Sequence, residues 1–82
     1  MENLEPAATT VDSLMAAAFD RPRDPRSAAY KAGARAHLAR VIENKTIAVP
    51  YPSGTAERDA FYAGENEGKA IYRQAWEKAQ LA

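Results

Sequence analysis

The chain has no cysteine among its 82 residues. Disulfides, thiolate metal sites and cysteine nucleophiles are therefore excluded, and packing alone must hold the fold. There is a single histidine, His37, with no second imidazole and no thiol to complete a ligand set. No run approaches the roughly 20 apolar residues of a membrane span, and no basic segment followed by an apolar stretch opens the N-terminus. The expectations are a cytoplasmic location, no membrane partner and no cofactor. Large apolar side chains are scarce, with two Phe and one Trp. A chain this short shields only about 60% of its unfolded surface, so one small domain is the limit.

Net charge is also lacking, but the zero conceals a segregation. Residues 1–20 carry four carboxylates and no Lys or Arg. Residues 21–48 carry seven basic residues against two acids, and residues 49–82 carry four against five. A basic middle can meet an acidic partner such as RNA although the total is neutral. The plainer alternative is a solvated surface offset by its own acidic tail.

Residues 1–10 hold Pro6 and no apolar period, which predicts a loose tail. Val11, Leu14, Met15 and Ala18 then recur at helical spacing behind Thr10, a good N-cap, and predict a short helix that must dock on something to persist. Pro22 and Pro25 break it into an Arg-rich linker. Ser27 caps a second helix, from Ala28 to about Glu43, with Tyr30, Gly33, Ala34, His37, Leu38, Val41 and Ile42 on one stripe. Pro50, Pro52 and Gly54 forbid a helix in the following connector, whose Ile47, Val49 and Tyr51 should lie on the helices. Thr55 caps a third helix running to about Lys78, with Phe61, Gly64, Gly68, Ile71, Tyr72, Ala75, Trp76 and Ala79 inward. The resulting fold class is all-α. Two main antiparallel-type helices are joined by an extended Pro-Tyr connector, with a short N-terminal helix added. Residues 1–26 form a flexible acidic segment and residues 27–82 a helical hairpin-like domain.

Each interior glycine costs a helix about 1 kcal/mol relative to alanine. Gly64 and Gly68 share a face, and Gly33 and Ala36 are similarly bare on the preceding helix, so these positions predict a close helix crossing. No catalytic constellation is evident. His37 lies on an apolar stripe, and Glu57, Asp59, Glu65 and Glu67 are accounted for as capping and solvating charges. Ser53-Gly54-Thr55 reads as a capped turn in preference to a phosphate cradle, for want of a Gly-rich loop with its lysine.

Binding residues are easier to nominate. Lys31, Arg35, Arg40 and Lys45 recur every four or five residues and are expected along one side, joined by Arg21, Arg23 and Arg26 of the linker. Tyr51, Arg58 and Tyr62 add the aromatic and guanidinium groups that stack on bases or anchor protein interfaces. Trp76, Tyr30 and Tyr72 are assigned to the core, since burying each is worth about 1.5–3 kcal/mol.

Three words in order carry a resemblance. They are Ala29-Tyr30-Lys31-Ala32-Gly33-Ala34-Arg35-Ala36, then Val49-Pro50-Tyr51-Pro52-Ser53-Gly54-Thr55, then Arg58, Phe61, Gly64 and Gly68. From about Ala29 to Tyr72 the chain resembles the ribosome modulation factor family and the small plasmid and phage proteins grouped with it. The resemblance implies two helices joined by a connector, and binding to the small ribosomal subunit near the messenger path. Tyr30, Gly33, Pro50 and Tyr51 match the structural words, and Arg40, Lys45 and Arg58 would be the RNA contacts. The functional expectation is a non-enzymatic module associating with ribosomes or structured RNA. The rival is a phage or mobile-element protein that inhibits a host protein.

Overall fold

A computed structural model describes residues 10–81 as three helices, α1 (Val11–Phe19), α2 (Ala28–Glu43) and α3 (Ala56–Leu81), with no strand among the described residues. The all-α class and all three starting residues are as the sequence predicts. The tail expected at residues 1–10 lies outside the described residues, apart from Thr10.

Each helix begins where a hydroxyl takes up a free amide. Thr10 Oγ1 accepts from the Ser13 amide at 3.0 Å while the Thr10 amide donates to Ser13 Oγ at 2.9 Å, a reciprocal capping box. Ser27 Oγ accepts from the Tyr30 amide at 3.1 Å, and Thr55 Oγ1 from the Arg58 amide at 3.2 Å. Asn44 ends α2 in the left-handed region, φ 58°, one of the few non-glycine residues that tolerate it.

The centre of the molecule is α2, which buries Ala29, Gly33, Ala34, Ala36, His37, Leu38 and Ala39. Neighbours cover it on several sides. The short α1 docks through Val11, which forms a core cluster with Leu38 and Ala39, and Leu14, Met15, Ile42, Ile71 and Tyr72 pack around it. The connector covers a second side and α3 a third.

The α2–α3 contact is backbone against backbone. A Cβ added to Gly33 would land on the Phe61 carbonyl, one added to Gly64 on the Tyr30 carbonyl, and one added to Gly68 would lie 2.8 Å from the Ala34 carbonyl oxygen. The predicted crossing is present, and Ala34, with no exposed surface, supplies the small side chain on α2. Ala36, expected beside Gly33 at this crossing, instead faces a groove beneath the connector.

The helix directions differ from the expected antiparallel hairpin. Tyr30 and Ala34 meet Gly64, Ala34 and His37 meet Gly68, and Ile71 and Tyr72 pack on the cluster that holds Leu38 and Ala39. Later positions on α2 meet later positions on α3, so the two helices run in the same general sense. Chain length permits this. The 16 residues of α2 rise about 24 Å, whereas an extended connector over 44–55 reaches roughly 40 Å. It can return the chain to the start of α2, and Pro50 accordingly lines the same groove as Ala32 and Phe61.

A second correction concerns the expected core. Tyr30 and Tyr72 are half-buried, but Trp76 is 52% exposed. Contacts advance together along the two helices and α3 is the longer by ten residues, so its last turns pass the end of α2. Ile47 also stays exposed, while Val49 and Tyr51 are half-buried.

The crossing makes a prediction against helix propensity. Alanine at a helical glycine ordinarily gains about 1 kcal/mol. Gly33→Ala and Gly64→Ala should instead each lose about 1–3 kcal/mol, because a carbonyl on the facing helix must move. Gly68→Ala should cost less. Urea unfolding midpoints of the three variants check this order.

A candidate nucleic-acid interface

The nominated basic residues do not form one stripe. Lys31 and Arg35, four residues apart, differ by about 40° around α2, but the five-residue step to Arg40 turns about 140°. Arg40 therefore projects on another side, where its Nη2 donates to His37 Nδ1 at 3.1 Å. Guanidinium only donates, so His37 holds its proton on Nε2 and is neutral. Burial, with Arg40 and Lys69 nearby, pushes its pKa below the ordinary value, against a smaller upward pull from Glu65.

Lys45 follows the left-handed Asn44 and leaves the helical register. It pairs loosely with Glu43 at 3.5 Å. Arg35 meets Asp12 of α1 at 2.8 Å, so one carboxylate of the acidic N-terminal segment does reach the basic helix. Both pairs are solvent-exposed and contribute little to stability.

The linker arginines are also largely engaged. Arg23 forks onto Glu67 of α3, Nη1 to Oε2 at 2.9 Å and Nη2 to Oε1 at 3.3 Å, and also donates to the Ala18 carbonyl. Tyr30 donates its hydroxyl to the same carboxylate at 2.6 Å. Above this knot Arg23 lies 5.0 Å from the Phe19 ring, Arg26 lies 4.6 Å from the Tyr30 ring, and the two rings meet edge to face. Glu67 is thus an anchor for linker, α2 and α3, not a solvating charge. Sequence spacing held no signal for it, because its partners lie 37 and 44 residues away.

Three nominated residues do converge. At the start of α3, Arg58 donates to the Tyr51 carbonyl at 3.0 Å and to the Tyr62 hydroxyl at 2.9 Å, with its guanidinium 5.4 Å from the Tyr62 ring centre. The Tyr51 and Tyr62 rings each meet Phe61 edge to face, at 6.1 Å. Phe61 is buried and fixes the group, while Tyr62 is 42% exposed. The result is a guanidinium and a phenol ring held together at the surface beside a helix N-terminus, chemistry suited to stacking on a base beside a phosphate.

Other features offer less chemistry. Beneath the connector, a groove of about 290 Å³ runs over Ala32, Ala36, Ala39 and Phe61, with Arg35 and Lys45 at its edge. No group of His, Asp or Glu among the described residues has the arrangement of a metal site, and no described helix is long and apolar enough to cross a membrane.

Two pH windows follow from these pairings. The unfolded chain protonates His37 near pH 6.5, whereas the folded chain resists it, so stability should decline as pH falls below that value. The Arg23 and Tyr30 hydrogen bonds hold the Glu67 carboxyl below its ordinary 4.5, so its contribution should persist above that pH and be lost as pH falls through the folded value. Glu67→Gln should flatten the acid limb alone. Tyr30→Phe should cost about 1 kcal/mol at neutral pH. Denaturant titrations between pH 3 and 8 on the order of one unit apart separate these effects.

Compared with family models, with curated proteins and with solved structures, the chain has no match.

Proposed function

We infer that the chain is a non-catalytic binding module that associates with ribosomal or other structured RNA. The observation that carries this reading is the Tyr51, Arg58 and Tyr62 cluster. It combines a preset guanidinium with an exposed ring, and ordering these groups in advance lowers the entropy lost on binding. Lys31 and the exposed Arg35 add cations on α2, and Asp12 is a displaceable partner for Arg35, since Asp12 itself is 85% exposed. The resemblance of residues 29–72 to the ribosome modulation factor family points the same way. Catalysis has no corresponding support: His37 is buried and neutral, and Glu67 is committed to Arg23 and Tyr30.

Association of the full chain with small ribosomal subunits and with purified ribosomal RNA, measured at two salt concentrations, tests the reading. Affinity should fall steeply with salt, and replacing both Lys31 and Arg35 by Gln should lower the salt slope by roughly two if both touch phosphate. Tyr62→Ala should weaken binding about tenfold with little change in unfolding midpoint. Failure to bind either target at low salt removes the reading. Retention of a host protein after nuclease treatment would favour the inhibitor alternative.

A further inference from the structure

The single tryptophan is the largest side chain in the molecule, and the fold leaves half of it in water. Its neighbours around α3 are informative. Arg58, Tyr62, Lys69, Arg73 and Trp76 follow one another at steps of four, seven, four and three residues, which keeps all five within about 60° of the helix circumference. They extend about 27 Å along the axis. Tyr62, Lys69, Arg73 and Trp76 are exposed and Arg58 is half-exposed. Arg40 joins them from α2, since it and Lys69 both lie close enough to His37 to act on its charge.

Among the described residues, no carboxylate forms an ion pair with Arg40, Arg58, Lys69 or Arg73. Asp59 and Glu77 lie about 40° beyond Arg73 around the helix, so carboxylates border the stripe while cations and rings occupy its middle. Glu65 at its inner edge is half-buried beside His37. An acidic partner is therefore indicated, and the two aromatic groups, about 21 Å apart along the axis, narrow its class. Ring faces are useful to a nucleic acid only where bases are unstacked, and a paired RNA helix offers none in its narrow major groove.

We propose that this face of α3 is a track for single-stranded RNA, with Trp76 and Tyr62 stacking on bases at either end and Lys69, Arg73 and Arg40 following the phosphates between them. The track rests on the RNA-binding reading above and specifies its ligand. It also extends the interface beyond the α2 cations onto α3, with Arg58 and Tyr62 common to both.

Because Trp76 is the only tryptophan, its fluorescence reports on one point of the track. The full chain is titrated with a mixed-sequence, single-stranded oligoribonucleotide about a dozen nucleotides long, and with a duplex of the same length. The single strand should quench Trp76 emission and bind at least tenfold more tightly than the duplex. Trp76→Ala should weaken single-strand binding roughly tenfold, and Lys69→Gln with Arg73→Gln should reduce its salt slope by about two. All three positions are exposed, so unfolding midpoints should be unchanged and loss of binding is not loss of fold. Binding of the strand with unaltered Trp76 emission and full affinity in Trp76→Ala overturns the track while leaving RNA association standing. Preference for the duplex also overturns it. No binding of either RNA removes both. Nuclease-resistant capture of a host protein by the wild type but not by Trp76→Ala would assign the face to a protein.

Discussion

Everything else in this fold depends on the approach of two backbones. At Gly33 and Gly64 the facing carbonyls of Phe61 and Tyr30 occupy space that a Cβ would need, and Gly68 is held nearly as closely against Ala34. The contact is reciprocal, each helix presenting a glycine to a carbonyl of the other, an arrangement suited to weak Cα–H···O interactions. Two costly helical glycines on α3 make sense only on these terms. The register they set brings Glu67 to Arg23 and Tyr30, and Ile71 and Tyr72 to the cluster of Val11, Leu38 and Ala39. It also fixes the helix direction, since only a connector that returns along α2 can deliver Phe61 to Gly33.

Local signals in the sequence were strong, and the structure follows them closely. Thr10, Ser27 and Thr55 cap where their hydroxyls and positions suggest, because capping depends on a residue and the amides within three positions of it. The glycine spacing likewise announced a crossing. Direction was not legible, since a shared face at i and i+4 serves helices of either sense. The hydrophobic period could not exclude Trp76 from the core, because periodicity does not show that α3 outlasts α2 at the end where Trp76 lies.

The candidate site divides along the same line. Tyr51, Arg58 and Tyr62 come together because they lie within two turns of one capped helix and its preceding turn. The α2 cations do not, because a five-residue step carries Arg40 about 140° past Arg35 and the left-handed Asn44 removes Lys45 from the helix. The knot around Glu67 was invisible because it requires linker, α2 and α3 to be assembled first.

Net charge is a poor guide to such a molecule. Of the nine acids in the described region, three form ion pairs, Glu67 with Arg23, Asp12 with Arg35 and Glu43 with Lys45, all of them with cations of the linker, α2 and the start of the connector. The cations of α3 keep their field within a screening length of about 8 Å at physiological salt. A partner would feel that field on contact and not at a distance, so association should lack long-range steering. The close crossing contributes here as well. Because Gly33, Ala34, Gly64 and Gly68 pack by backbone, the centre of the fold needs only Leu38 and Phe61 as large, fully buried side chains. Tyr62 and Trp76 are therefore not required to hold the helices together, which is why a chain so poor in large apolar residues can leave them at its surface.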